Sequence, residues 1–313
     1  MKPDMKHRIV FVGTPKFSVP SLKALIDDGR FEISAVVTQP DMPAGRSLEL
    51  TPPPVKVTAL SYGLEVLQPQ KITQIIDRLR ELEPEAIVVV AYAQIIPEEI
   101  LALPKFGCVN VHASLLPKYR GAGVIQAPLL NGDAESGVTI MVMDETLDTG
   151  PLLSQAVYDI KPHETGDSLA VALSELGARE LPSTLNRYLE GTLAPKAQPT
   201  EGTYVGRWQK KDGIIDWSRP ATDIERFIRA MHSWPSAWTW INGKQLKILE
   251  ADPSVIALTM HKPGKTFVYN STFAVQCGQD SLIIRRLQLE GKKPMTSEEF
   301  MRGYRDFVGA MLG

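Results

Sequence analysis

The sequence predicts an α/β chain in which a doubly wound parallel sheet is followed by a smaller antiparallel β-barrel. Three observations predict it. Short β-branched runs alternate with helical stretches as far as residue 190. Periodicity then fades into Pro, Gly and Thr over residues 191–209. Past that point, short strands with turn signals dominate. The expected organisation is a first domain at 1–190, a linker at 191–209 and a second domain at 210–313.

The candidate strands of the first domain are RIVFVG, EISAVVTQ, LEVLQ, EAIVVVAY, GCVNVHA, GVTIMVMD and LLSQAVYDI. Near-continuous apolar runs suit strands buried on both faces, which is the environment of a parallel sheet covered by helices. Between them SLKALIDDG, PVKVTALSYG and ITQIIDRLREL read as helices, with Gly29 and Gly63 at C-cap positions. Further on, Leu169, Leu173 and Leu176 recur at helical spacing, and Pro182 is expected to restart or bend that helix.

In the second domain TDIERFIRAM reads as a helix. Thr222 and Glu225 form the pattern of a capping box, and Ile224, Phe227, Ile228 and Met231 line one face. Asn242-Gly243 suits a type I′ hairpin turn. KTFVYN, TFAVQC and SLIIRRLQL add strands, and Thr296 with Glu299 opens a final helix. Short antiparallel strands with few helices suit a small OB-like barrel.

Composition removes several classes of function. No apolar run reaches the roughly 18 residues of a membrane span. The run IVFV near the start is too short for a signal peptide. Cys108 and Cys277 stand far apart in apolar runs, which predicts reduced core thiols and a cytoplasmic protein. No His, Cys and Glu cluster has ligand spacing, so no metal site is expected. VFVGTPKF lacks G-x-G-x-x-G, which leaves Gly13 to a turn and excludes NAD. The net charge is only −2, but residues 1–200 hold 24 Asp+Glu against 18 Lys+Arg and residues 201–313 hold 12 against 16. The basic excess permits a polyanionic partner on the second domain. Nothing in the sequence demands more than a monomer.

The chemistry lies in NVHASLLPKYRG. Side chains alternate along a strand, so Asn110 and His112 project to one side while Val109 and Val111 point into packing. The pair ends a strand, where doubly wound sheets place their ligands. In MDETLDTG, after the next strand, a loop can carry Asp148 back to the same crevice. Asn, His and Asp together suit acyl transfer. The amide donates to a developing oxyanion, the imidazole handles the proton of an attacking amine, and the carboxylate orients the imidazole. No Cys or Ser nucleophile stands nearby, which favours direct attack by a substrate amine. The plain alternative is a polar pair closing a turn with Asp148 as a loop cap.

NVHASLLPKYRGAGVIQ with MDETLDTG resembles the folate-dependent formyltransferases, whose signature is Asn-x-His, Ser-Leu-Leu-Pro and a downstream Leu-Asp-Thr-Gly. FVGTPKFSVPSLKAL, VVTQPDMPAGR, PPPVKVTA, VVVAYAQIIP, KKDGIIDWSRPATDIERFIRAMHSWPSAWT and LQLEGKKPMTSEEFMRGYR extend the likeness nearly end to end, toward the branch that acts on methionyl-tRNA. The resemblance implies a Rossmann-like domain joined to an OB-like one. It also implies formyl transfer from 10-formyltetrahydrofolate to methionyl-initiator tRNA. Asn110, His112 and Asp148 would be catalytic. Ser114, Leu115, Leu116, Pro117 and Tyr92 would line the folate site. Residues from Gln39 to Pro52, led by Arg46, would meet the tRNA acceptor stem, with Lys210 and Lys211 as further contacts. Rival expectations are transfer to a nucleotide-linked amino sugar and a non-catalytic tRNA- or folate-binding protein. The sequence departs from the family pattern at SLEL after Arg46, at Gly123-Val124 in place of Ala-Pro, and at Ala93 and Thr146, each in place of a Gly.

Overall fold

The computed structural model describes residues 6–44, 49–252, 257 and 260–313. Its chain divides into two compact units. The first comprises residues up to Gly121, Glu135–Asp159 and Ala170–Val205. The second comprises Ala122–Ala134, Ile160–Leu169 and Gly206–Gly313.

The first unit is built on a seven-stranded sheet. Its elements begin with β1 (His7–Gly13), α1 (Val19–Asp27), β2 (Phe31–Val37), the small hairpin β3 (Met42–Ala44) and β4 (Glu49–Thr51), and α2 (Pro54–Ser61). There follow β5 (Val66–Leu67), α3 (Ile76–Leu82), β6 (Ala86–Val90), α4 (Glu98–Leu101), β7 (Cys108–His112) and β8 (Arg120–Gly121). The strand order β10-β9-β7-β6-β1-β2-β5 is completed by β9 (Glu135–Val142) and β10 (Leu152–Asp159). All seven expected strands are present. From β5 to β7 the sheet is parallel. The winding reverses between β1 and β6, the switch point where such sheets open a crevice.

The sheet is not parallel throughout, because β9 runs antiparallel to both β7 and β10. The connection at 143–151 is too short for a parallel crossover, which needs about a dozen residues or more. Past Leu153, β10 also alternates half-buried and exposed residues, as a half-solvated antiparallel edge strand does.

Burial explains the strand sequences. Val10, Val12, Ile87, Val89 and Cys108 pack with Ile72 and Leu79 in one apolar cluster. The α6 helix (Gly166–Leu189) runs unbroken with Pro182 inside it and buries Leu173, Leu176, Leu181 and Leu185. Gly63 takes the left-handed φ of +71° expected past a helix end. Gly29 does not take that conformation, and α1 ends through Asp28 instead.

In the second unit α5 (Gln126–Asn131) packs on α7 (Ala221–Ala230). An antiparallel sheet in the order β12-β13-β16-β15-β14 follows. Its strands are β12 (Trp238–Ile241), β13 (Lys244–Ala251), β14 (Thr266–Tyr269), β15 (Thr272–Gln276) and β16 (Ser281–Leu289). A short β17 (Met295–Thr296) pairs with β16 and leads into α8 (Ser297–Gly303). Register shifts in β13 bend the ladder with β16, the local device by which a sheet curls toward a barrel. Ile224 and Ile228 of α7, Met231 at its C-cap and Phe300 of α8 join the strand residues in one core.

Two capping boxes were expected, and one forms. Thr296 accepts from the Glu299 N–H at 3.3 Å, and Glu299 accepts from the Thr296 N–H at 2.8 Å. The other does not, because Pro220 occupies the cap of α7 and Thr222 lies inside the helix. Glu225 instead binds Arg229 through two hydrogen bonds. Asn242 and Gly243 both take positive φ, as a type I′ turn requires.

Gly13 serves more than a turn. A Cβ there would stand 2.8 Å from the Val90 carbonyl oxygen and 2.9 Å from the Ser18 Cβ. The Ser18 hydroxyl donates to that same carbonyl at 2.6 Å. Gly13→Ala is therefore expected to cost about 1–3 kcal/mol in urea unfolding, as overpacking does. Gly29→Ala, with no atom within 4 Å of its Cβ, is the control and should stay within about 0.5 kcal/mol.

Candidate active site

The carboxyl ends of the parallel strands are tied together by side-chain amides. Gln39, just past β2, donates from its backbone N–H to Thr14 Oγ1 at 3.3 Å and from Nε2 to the Tyr92 carbonyl at 3.0 Å. Gln94 accepts from the Ile72 N–H at 3.0 Å and donates to the Gln70 carbonyl at 3.1 Å. The loop that follows β6 holds Ala91 and Ala93 at φ of +48° and +67°. Ala93 thus keeps the left-handed backbone that glycine would adopt freely.

At the end of β7 the alternation is as the sequence requires. Val109 and Val111 are buried, Asn110 is half-buried, and His112 is 6% exposed. Among the described residues the Asn110 side chain has no protein hydrogen-bond partner. The His112 ring is held from two directions. Nε2 lies 3.0 Å from the Tyr119 carbonyl oxygen, which can only accept, so Nε2 carries the hydrogen. Nδ1 faces Asp148 Oδ1 at 3.7 Å. The carboxylate is therefore at ion-pair distance, and the bond that orients the ring is made by the Tyr119 carbonyl.

Asp148 reaches this position from far along the chain. β9 leaves the sheet at Val142, level with Val109, and the following loop folds back to bring the carboxylate beside His112. Asp144 shapes that loop, accepting from the Thr146 N–H and hydroxyl, both at 3.1 Å, and from the Thr149 hydroxyl at 2.9 Å. Asp148 has φ of +55°, and its Oδ2 accepts from the Gly121 N–H at 2.7 Å. Gly121 has φ of +104°, and a Cβ there would lie 2.4 Å from the Val205 carbonyl oxygen. Only glycine allows this approach.

The Ser114–Pro117 turn is clamped by the two antiparallel strands. Thr139 of β9 donates to the Ser114 carbonyl at 2.6 Å and accepts from the Leu116 N–H at 3.1 Å. Gln155 of β10 donates to the Leu116 carbonyl at 2.8 Å. Leu116–Pro117 is a cis peptide. The Ser114 hydroxyl is turned inward, toward the Lys118 and Tyr119 carbonyls at 2.9 and 3.0 Å. Leu116 is buried, whereas Leu115 and Pro117 are half-buried. The Tyr92 ring lies in the apolar cluster of the sheet, its hydroxyl has no protein partner, and burial pushes that phenol up to about 12. Ile95 and Leu147, apolar yet 90% and 62% exposed, stand on the two flanking loops.

Lys210 and Lys211 are exposed on a 3₁₀ turn of the second unit. Arg46 lies outside the described residues. The hairpin on either side of it is fastened where Lys56 donates to both oxygens of Asp41 at 2.8 Å and Gln68 donates to the same carboxylate. Among the described residues no group of three or more His, Cys, Asp or Glu side chains is arranged to hold a metal ion.

Arg120 and Gln198 are not among the expected site residues. Arg120 is 2% exposed, and its guanidinium donates to Gln198 Oε1 at 3.0 Å and to the Pro199 carbonyl at 2.9 Å. Its partners lie some 80 residues away in a stretch without periodicity. No sequence signal marks the pair.

Comparison with known proteins agrees with this geometry. The formyl transferase family profile matches residues 7–185, and the profile of the formyl transferase C-terminal domain matches residues 207–305. The methionyl-tRNA formyltransferase of Lachnospira eligens is 46% identical over 314 aligned positions, covering 98% of this chain and 99% of that protein. The Geobacter sulfurreducens methionyl-tRNA formyltransferase is 43% identical, covering 98% and 96%. Among solved structures, an N-formyltransferase from Helicobacter canadensis in complex with folinic acid and dTDP-3-aminofucose has the same fold. It superposes with a TM-score of 0.66 at 20% identity, covering 90% of this chain and 99% of that one. Matched by both profiles and by relatives along nearly its whole length, the chain belongs to the formyl transferase family.

Proposed function

We propose that this chain transfers the formyl group of 10-formyltetrahydrofolate to the α-amino group of methionyl-initiator tRNA, in the cytoplasm, at the start of protein synthesis. The observation that carries the reading is the likeness to methionyl-tRNA formyltransferases across both units, at 46% identity. An amino-sugar acceptor has weaker support, since the N-formyltransferase structure that holds dTDP-3-aminofucose is 20% identical.

The folate cosubstrate supplies an electrophilic formyl carbon. Its fit is supported by the unpartnered Asn110 amide and by the apolar side chains of Leu115, Pro117, Ile95 and Leu147 around the turn and loops, which suit a flat aromatic ring. Ser114, Leu116 and Tyr92 serve by shaping the walls, their own side chains being buried.

The neutral amine of the methionyl ester forms the new C–N bond at the formyl carbon, and the carbonyl electron pair moves onto oxygen. Asn110 donates to that oxygen as it gains charge. His112 receives the proton that the amine sheds, and Asp148 offsets the charge the ring then carries. When the carbonyl re-forms, the bond from the formyl carbon to the folate nitrogen breaks and that nitrogen takes the proton. Proton and acyl movements balance without a metal.

Lys210 and Lys211 contribute point charges toward phosphates, and Arg46 contributes a fork of donors. A monomer suffices for this chemistry.

Two outcomes follow. His112→Ala, Asp148→Ala and Asn110→Ala should each lower turnover about 10²- to 10⁴-fold while tRNA affinity by filter binding stays unchanged. Full turnover in any of the three removes that residue from the mechanism. Lys210→Ala with Lys211→Ala should weaken tRNA binding and flatten its dependence on log salt by about one to two contacts, with folate binding preserved. An unaltered salt slope would return both lysines to a solvated turn.

A further inference from the structure

We propose that Gln198 is a positioning residue for the formyl-transfer reaction, acting with the buried Arg120 to fix the loop that carries Asp148. The proposal rests on the reading of Asn110, His112 and Asp148 as the reacting set. By sequence, residues 191–209 are a linker. Through Val205, however, they are laced to the first unit. Lys196 exchanges backbone hydrogen bonds with Leu152, and β11 (Tyr204–Val205) pairs with β8.

The Gln198 amide uses both of its ends. Nε2 donates to the Asp148 carbonyl at 3.0 Å and to the Gly150 carbonyl at 2.7 Å. Oε1 accepts from Arg120 Nη2 at 3.0 Å and Nε at 3.3 Å. Arg120 Nη1 donates to Tyr204 Oη at 3.1 Å, and its guanidinium lies 5.6 Å from the Tyr204 ring centre. Among the described residues no carboxylate lies within ion-pair distance of Arg120. A buried cation held by neutral acceptors needs every one of them, because an unmet donor on a buried charge is costly. The segment at 198–204 is therefore pinned, and Gln198 with it.

What Gln198 pins in turn is a strained residue. Asp148 sits at φ of +55°, a conformation uncommon outside glycine that persists only when its surroundings over-determine it. Gln198 holds the carbonyls on either side of Thr149, while Gly121 holds the carboxylate. Arg120 lies between Tyr119, whose carbonyl binds His112, and Gly121, whose N–H binds Asp148. Together with these backbone contacts, the Gln198 amide sets the separation of His112 and Asp148.

Gln198→Glu separates this role from simple support. The carboxylate keeps the Arg120 contact and gives that cation a charged partner, but it turns an acceptor toward two carbonyl oxygens. The experiment measures kcat and KM for both substrates, the thermal midpoint, and the ring resonances of His112 in histidine-labelled protein. The expected result for Q198E is a kcat about 10- to 100-fold lower, KM values within about threefold of the parent, an undiminished thermal midpoint and displaced His112 resonances. Q198A, which loses both sets of bonds, is the second variant should Q198E not fold, with the same kinetic expectation and a lower midpoint. A kcat within about twofold of the parent, or His112 resonances that do not move, overturns the proposal. Displaced resonances in a variant whose parent makes no formyl product uphold the linkage and overturn the assigned reaction instead.

Discussion

Three consecutive residues decide whether there is a site at all. Tyr119 turns its carbonyl to His112, Arg120 buries its guanidinium against the returning chain, and Gly121 gives its N–H to Asp148. The chain can pass through this point only because Gly121 tolerates a φ of +104° against the Val205 carbonyl. The Ser114–Pro117 turn then follows from where Tyr119 must lie, and Thr139 and Gln155 hold the turn there. The proposed reacting side chains are few, and backbone groups aim two of them, His112 and Asp148.

That dependence explains what was legible beforehand. Strands β1, β2, β6, β7 and β9 could be read because each is a short apolar run that is largely buried. Asn110 and His112 could be read because two polar residues two apart interrupt such a run. Asp148 was legible as a loop carboxylate after the next strand. The reversal of β9 was only faintly written, in the alternation of LLSQAVYDI and the shortness of 143–151. Arg120 and Gln198 were not written at all, since a buried arginine satisfied by carbonyls and an amide has no local pattern. The two T-x-x-E patterns show the same limit. Thr296 and Glu299 cap α8, but Pro220 starts α7 too early for Thr222, and Arg229 takes the Glu225 carboxylate.

The second unit shows how a reading in chain order misses what packing joins. Residues 122–134 and 160–169 group with the C-terminal segment by contact. Leu130 packs on its core, Trp208 donates to the Gly123 carbonyl at 3.2 Å, and Arg229 donates to the Glu164 carbonyl at 2.8 Å. Gly123-Val124, where the family pattern has Ala-Pro, therefore belongs to the surroundings of that second core.

Two further departures, Ala93 and Thr146, can be weighed by the same reasoning. Ala93 stands at φ of +67°, so the backbone has kept the shape that glycine would give it and carries a strain of about 1 kcal/mol. Gln39 and Gln94, bonded to the Tyr92 carbonyl and the Ile72 N–H, hold the neighbouring chain against that strain. Thr146 adds a hydroxyl that Asp144 accepts, which draws the Asp148 loop tighter at one end while Gln198 secures the other. Each substitution falls on a loop already fixed by hydrogen bonds to its backbone. The loop that presents Asp148 is therefore held by its hydrogen bonds without glycine at position 146.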